Sequence, residues 1–325
     1  MALTEYTGDT NYISALDDLP NDVGGLTAEQ LKAVFDQFGT EFKAWFNGTH
    51  LADIDGNLPN RNILHNWDFA VNQRGVTSFS GAYGPDRWSS ANGFDVYNRY
   101  IQATGASTLI QLIERGVVKA GTYTMGAKIT PSTAVTFQLG FWGGTVYDSE
   151  ATTSDADGYA SVQLNIPSVE DFYSYVYVQV SSGVNVYSVK LELGTVSTLA
   201  KDPPADFGEQ LALCQRYYYR LKVPINGVFG DGFTFASSDE FAYFLVPFMK
   251  EMRVVPTVSV SDYSRFFLAF GGVNSTVTAY HPSNNYATKI NAHISFGLAA
   301  GRGVSKPCSL ASATGTAFIE FSADL

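Results

Sequence analysis

Charge and sulfur are scarce in this chain of 325 residues. Only 16% of the residues are charged, and there are two cysteines and four methionines. Cys214 and Cys308 stand far apart, which excludes a disulfide framework and a CxxC metal knuckle. They read as two reduced thiols in a protein made in a cytosol. The formal net charge is -11, with no Lys/Arg cluster. Nucleic acid is excluded as a partner, because phosphate binding needs concentrated positive charge. Long apolar runs are missing as well. The longest, Phe241 to Met249, contains Pro247 and is far too short for a bilayer, so no membrane insertion is expected. The start, Met1-Ala-Leu-Thr-Glu-Tyr6, lacks the basic segment and apolar run of a secretion signal.

Catalytic and metal-binding patterns are equally thin. The four histidines, His50, His65, His281 and His293, fit no HExxH or other metal spacing. There is no GxSxG elbow, and Gly140-Phe-Trp-Gly-Gly144 lacks the Lys-Ser/Thr of a phosphate loop. We assign no catalytic residue, metal ligand or cofactor. Asp148, Glu150, Asp155 and Asp157 crowd residues 148–158. Such oxygens could hold calcium, and a carboxylate pair could serve a glycosidase. The favoured reading is an acidic turn, because Asp157-Gly158 is itself a hairpin signal.

Aromatics make up 14% of the chain, and there are 30 glycines. That profile suits aromatic-rich β-sheet with many turns. The expected fold is mainly β, in four parts. Residues 1–61 form an N-terminal arm and a coiled-coil-like helix. Residues 62–200 form a jelly-roll β-sandwich, 201–222 a short helical linker, and 223–325 a second, C-terminal β-sandwich.

The first part is acidic, with ten acids against three bases in residues 1–61. Thr27 and Gln30 are spaced as a capping box, and Leu26 with Leu31 as a hydrophobic staple. The helix should run to about Asn47, with Asn47-Gly48 as its C-cap. Leu31, Phe35, Phe38, Phe42 and Trp45 are spaced four, three, four, three, which is a heptad seam. Residues 1–61 hold no other apolar segment to cover it, so the seam should bury itself against other chains. Asp206 and Glu209 suggest a second capped helix. Phe207, Leu211, Cys214 and Tyr218 repeat the same spacing. Either this is a second oligomerising helix with Cys214 near the symmetry axis, or the helix lies on a sandwich with Cys214 an ordinary buried residue.

Strands are expected near 62–71, 94–103, 107–115, 121–130, 133–141, 159–166, 173–181 and 184–193, and near 227–236, 240–248, 253–260, 264–270, 275–281, 289–298 and 315–325. The last alternates, with Ala317, Ile319, Phe321 and Ala323 on one face. Trp67 and Trp88 should be core, with Arg87 bracing a buried acid. Tyr280, His281, Asn284, Asn285 and Tyr286 combine rings that can stack on sugars with groups that can bond hydroxyls. They make one loop a candidate glycan or receptor contact.

Asn62-Ile-Leu-His-Asn-Trp-Asp-Phe-Ala-Val-Asn-Gln-Arg-Gly75, continued by Tyr83-Gly-Pro-Asp-Arg-Trp88, resembles the opening of the carbohydrate-binding-module-like jelly rolls of bacteriophage tail fibre and baseplate receptor-binding proteins. Asn21 to Asp36, Val189-Lys-Leu-Glu-Leu-Gly194, Phe207 to Arg220 and Thr316 to Leu325 echo that family in the same order. The resemblance implies a homotrimer, attached through its N-terminus to other tail or baseplate proteins. It implies a virion location after assembly in the host cytoplasm, and non-enzymatic adhesion to host cell-surface polysaccharide. The competing expectations are a polysaccharide depolymerase and a purely structural tail connector.

Overall fold

The computed structural model describes residues 27–50, 60–141, 146–167, 173–234, 241–261, 266–270, 273–276, 279–286, 289–295, 307–312 and 317–324. Leu26 of the staple, the arm before it and most of 48–61 lie outside these. Helix α1 spans Ala28–Trp45. The capping box forms as expected, because Thr27 Oγ1 accepts from Gln30 N and Gln30 Oε1 accepts from Thr27 N. The helix does not end on Asn47-Gly48. It widens into a π-helical turn, Phe46–His50, that runs through both residues.

Strands are numbered in chain order. β1 (Ser78–Phe79), β3 (Phe94–Tyr97), β4 (Tyr100–Ala103), β11 (Asn185–Leu193), β6 (Gly121–Ile129) and β9 (Tyr159–Ile166) lie side by side in that order as a six-stranded antiparallel sheet. β2 (Ser89–Ser90), β5 (Ser107–Ile113), β10 (Ser174–Val180), β7 (Ala134–Phe141) and β8 (Val146–Thr153) form a five-stranded one. Strand residues alternate in burial because the side-chain period is two. Phe94, Ile101, Met125, Leu164, Val186 and Leu191 from one sheet meet Leu109, Phe137, Leu139, Val176 and Val178 from the other in one core. Each such side chain contributes about 1.5–3 kcal/mol on burial. This is a β-sandwich with jelly-roll character.

The opening motif is the chief correction. Residues 62–75 are turns, not a strand. Asn66 (φ 50°) and Phe69 (φ 56°) take left-handed backbone conformations that a strand cannot contain. Without a ladder, this segment needs other partners for its backbone groups, and asparagine side chains supply them. Asn62 Oδ1 accepts from Leu64 N and Leu191 N, and Asn62 Nδ2 donates to Val189 O. Fully buried Asn66 donates to Val71 O and Asp86 O and accepts from Val71 N. The indole of Trp88 donates to Asn66 O at 2.8 Å. Trp88 is fully buried and Trp67 packs against the core, as expected. Arg87 does not brace the acid. Arg74 lies against Asp86 (3.4 Å), while Arg87 donates to Leu112 O and stacks on Tyr217.

Helix α2 is short, Phe207–Cys214, with Asp206 as its cap. Its Gln210 accepts from Asn66 N at 2.6 Å, which seats the helix on the opening motif. β12 (Tyr218–Val223) begins within the segment read as linker and pairs with β21 (Ala317–Ser322), which pairs in turn with β15 (Thr257–Val260). The alternation in β21 holds, since Ala317, Ile319, Phe321 and Ala323 are all buried. A seven-stranded antiparallel sheet follows the order β17 (Val273–Thr276), β16 (Phe266–Phe270), β20 (Pro307–Ser312), β13 (Val228–Thr234), β14 (Phe241–Pro247), β19 (Lys289–Ser295), β18 (Ala279–Tyr286). β1, β2, β8, β12 and β20 fall outside the strands expected from the sequence. Among the described residues, no helix is long and apolar enough to cross a membrane.

Candidate functional site

The outer face of the six-stranded sheet is divided. One half is closed by residues 195–202. Lys190 and Glu192 of β11 point outward, yet both are buried. Lys190 Nζ donates to Thr198 Oγ1 (2.8 Å) and Asp202 Oδ1 (2.6 Å), and lies 3.3 Å from Glu192. Glu192 accepts from Thr198 N (2.7 Å) and from the Thr198 hydroxyl (2.6 Å). A buried charge left unpaired is costly, so this network pins the covering segment in place.

The other half is open and lined with tyrosines. Val96 and Ile101 point into the core, so Tyr97 and Tyr100 point out from β3 and β4. Their rings are stacked, 4.7 Å apart and tilted by only 7°. Tyr187 of β11 lies 5.5 Å from Tyr100. Gln102 Nε2 donates to Asn185 Oδ1 (2.9 Å), and Asn185 Nδ2 donates to the Tyr187 hydroxyl (3.1 Å). Lys128 of β6 lies 5.1 Å from the ring of Tyr159 on β9. From β3 to β9 this band crosses four strand spacings, roughly 19 Å. Tyr97 is 43% exposed. Its apolar ring faces and neighbouring amides are the two kinds of group a sugar needs, one for its C–H face and one for its hydroxyls.

The five-stranded sheet offers a weaker platform. Tyr175 and Tyr177 lie 4.3 Å apart on its outer face, and Gln138 Nε2 donates to the Tyr175 hydroxyl (2.7 Å). Tyr175 is only 5% exposed, so its ring face is not free to stack.

The residues singled out in the sequence fare differently. Leu31, Phe35, Phe38 and Phe42 are all exposed, and Trp45 is half-buried. No residue of α1 is buried. The second seam does not exist as a helix face. α2 stops at Cys214, and Tyr218 stands on a strand. Phe207 is exposed and Leu211 half-buried, but Cys214 and Tyr218 are buried by this chain's own atoms. The alternative of a helix lying on a sandwich, with Cys214 an ordinary buried residue, is the one observed. Burial pushes the Cys214 thiol well up, away from thiolate chemistry. Tyr280, His281, Asn284, Asn285 and Tyr286 lie not on a loop but on β18, an edge strand. Their side chains fall outside the described residues.

The acidic cluster is spread out. Asp148 and Glu150 stand on β8, whereas Asp155 Oδ1 caps the following turn by accepting from Asp157 N and Tyr159 N. Among the described residues, no group of three or more His, Cys, Asp or Glu is placed to hold a metal.

The tyrosine band was missed because 94–103 reads as one strand. It is two, joined at Asn98-Arg99 with Arg99 at φ 63°. No glycine marks that turn. The available signal was parity, since Tyr97 and Tyr100 both fall opposite the apolar positions.

No family model matches the chain, and no curated protein matches it. Solved structures do. A family 4 carbohydrate-binding module is 15% identical, covering 40% of this chain and 98% of its own, at TM-score 0.27. A family 61 module in complex with beta-1,4-galactotriose is 14% identical, covering 41% of this chain and 99% of its own, at TM-score 0.26. A tandem of family 22 modules from Paenibacillus barcinonensis Xyn10C is 9% identical, covering 82% of this chain and 98% of its own, at TM-score 0.26. At TM-scores of this size the fold assignment rests on the chain's own geometry.

Proposed function

We propose that this protein is a non-enzymatic adhesin of a bacteriophage tail or baseplate, holding host-surface glycan on the tyrosine band of its jelly roll. The observation that carries the reading is the open array of Tyr97, Tyr100 and Tyr187 with Gln102 and Asn185. An exposed aromatic surface rimmed by amides is an unusual thing for a sheet to leave uncovered without a ligand. Adhesion is multivalent. The exposed stripe of α1 joins copies, with a trimer as the expected number, and several weak sites then act through effective concentration. Residues 1–61 attach the assembly to other tail proteins.

The test is adsorption of the labelled full-length protein to host cells and to their purified surface polysaccharide. Tyr97→Ala with Tyr187→Ala should cut binding about 10-fold or more, since each stacked ring contributes about 1 kcal/mol, while the protein stays folded with a cooperative melting transition. Undiminished binding by this variant would move the receptor site elsewhere. Release of reducing ends from the polysaccharide would favour a depolymerase, and failure of the wild-type protein to bind would leave a connector.

A further inference from the structure

The molecule holds a second recessed site, away from the tyrosine band, whose buried guanidinium has two nitrogens without a hydrogen-bond partner among the described residues. It lies between the 61–65 segment, β5 and the end of α2, a cleft of about 390 Å³. Ile63, Ile113, Val117 and Leu213 give it apolar walls. Arg87 forms part of its lining and is 2% exposed.

Arg87 is held rigidly. One guanidinium nitrogen, Nη2, donates to Leu112 O, and the guanidinium lies 3.6 Å from the centre of the Tyr217 ring. Its Nε and Nη1 have no hydrogen-bond partner among the described residues. Nor does any described carboxylate lie within ion-pair distance of it. The nearest acid in the lining, Glu114, is already engaged by the Tyr217 hydroxyl (2.8 Å) and by Arg216 (3.3 Å). A second unmet polar atom, His65 Nδ1, belongs to the same lining. Gln111 fixes the His65 backbone by bonding both its N and its O. Arg61 and Arg216 add two more cations at the rim.

A buried guanidinium with two unpartnered nitrogens, Nε and Nη1, is a costly thing to fold unless something binds there. Its Nη1 carries N–H donors that can make charge-assisted hydrogen bonds to a carboxylate. The cleft volume falls in the range of small-molecule sites, and its walls are apolar beside the charged end. We infer that this cleft binds the carboxylate of a small organic anion, of the size of one sugar acid, with Arg87 as the anchoring group and Tyr217 and Ile63 along the apolar side. The inference stands whether or not the tyrosine band binds glycan. Two sources share this chemistry: a uronic-acid residue within a polysaccharide, and a free small carboxylate.

The test is titration calorimetry of the full chain with glucuronate, with glucose as the uncharged match, and with acetate as a bare carboxylate. The expected result is binding of glucuronate that is at least 10-fold tighter than that of glucose, and that weakens with added salt. Acetate binding as tightly as glucuronate would assign the cleft to free carboxylates, and acetate binding more weakly would assign it to the sugar acid. Either supports the carboxylate site. Arg87→Gln should abolish binding. Because Arg87 is buried, that variant could also perturb folding, so Val117→Trp serves as the second arm. Val117 is an exposed residue of the lining, and an indole there should block the cleft while leaving the melting temperature unchanged. Glucuronate binding that persists in Val117→Trp, or equal affinity for glucose and glucuronate, or no binding of either carboxylate, would overturn the assignment.

Discussion

Helices α1 and α2 carry the same apolar spacing and have opposite fates. α1 extends for 18 residues with none of them buried, while its Phe35 is 54% exposed. α2 ends after eight residues with Cys214 fully buried and Gln210 bonded to Asn66. The difference lies in what stands beside each. α2 has the opening motif to sit on, so Gln210 and Cys214 are buried within the chain, while Phe207 at its start stays exposed. Along α1 the aromatic rings meet in a row, Phe38–Phe42 stacked at 6.1 Å and Phe42–Trp45 tilted at 5.7 Å, and no residue of the helix is buried. Spacing alone therefore does not tell a seam from a short helix on a sandwich. The presence of a docking surface does.

The seat of α2 should be the point most sensitive to substitution. Asn66→Ala removes three buried hydrogen bonds and places alanine at a positive φ. We expect a loss of about 4 kcal/mol, read by urea unfolding.

A second test concerns the buried acid beside that seat. Burial pushes the Asp86 carboxyl up to about 7, against the pull of Arg74 and Gln73. Its folded value lies above its unfolded one, so the folded state holds the extra proton between about pH 4 and 7. The stability linked to Asp86 is thus full below pH 4 and is lost as pH rises towards 7. His65 acts in the other direction. Burial holds it down to about 4, so its contribution is full above about pH 6.5 and is lost as pH falls towards 4. Asp86→Asn removes only the first slope. Relative to wild type, the variant should gain on the order of 2–4 kcal/mol between pH 4 and 7, measured by urea unfolding across that range.

The sharpest contrast between the helices needs two variants measured in the same two ways. Gln210→Ala on α2 leaves the buried Asn66 N–H unpaired and should cost about 1–3 kcal/mol, with no change in mass by light scattering. Phe35→Ser with Phe42→Ser on α1 should do the reverse. The mass should fall to that of a monomer, while unfolding of the sandwich stays the same. The smallest effect is a gain. Gly39 lies mid-helix with open space around it, so Gly39→Ala should stabilise α1 by about 0.5–1 kcal/mol and raise the concentration of denaturant at which the proposed oligomer dissociates.

Much of the sandwich was legible because its strands alternate or are β-branched, as in β9 and β10. The capping box of α1 was legible because it is a local pair of bonds. The opening motif was not, although its importance was. Ile63, Leu64, Trp67, Phe69 and Val71 look like a strand, yet Asn62 and Asn66 bond their own neighbourhood and hold it in turns. The same residue types that favour strands also fill cores from loops. β8 was hidden by its acids, because an edge strand can carry Asp148 and Glu150 towards solvent. The tyrosine band was hidden by a turn without glycine, and the cleft by distance, since Arg87 and Tyr217 meet only in the fold.

In the proposed mode of adhesion, one surface holds sugar while another joins copies. It is tested most directly by comparing wild type with the Phe35→Ser, Phe42→Ser variant on two forms of the same glycan. In solution, as a short oligosaccharide, the glycan should bind both proteins equally. On a coated surface, the wild type should bind at least 100-fold more tightly, through effective concentration. Equal binding of both proteins to the coated surface would contradict the claim.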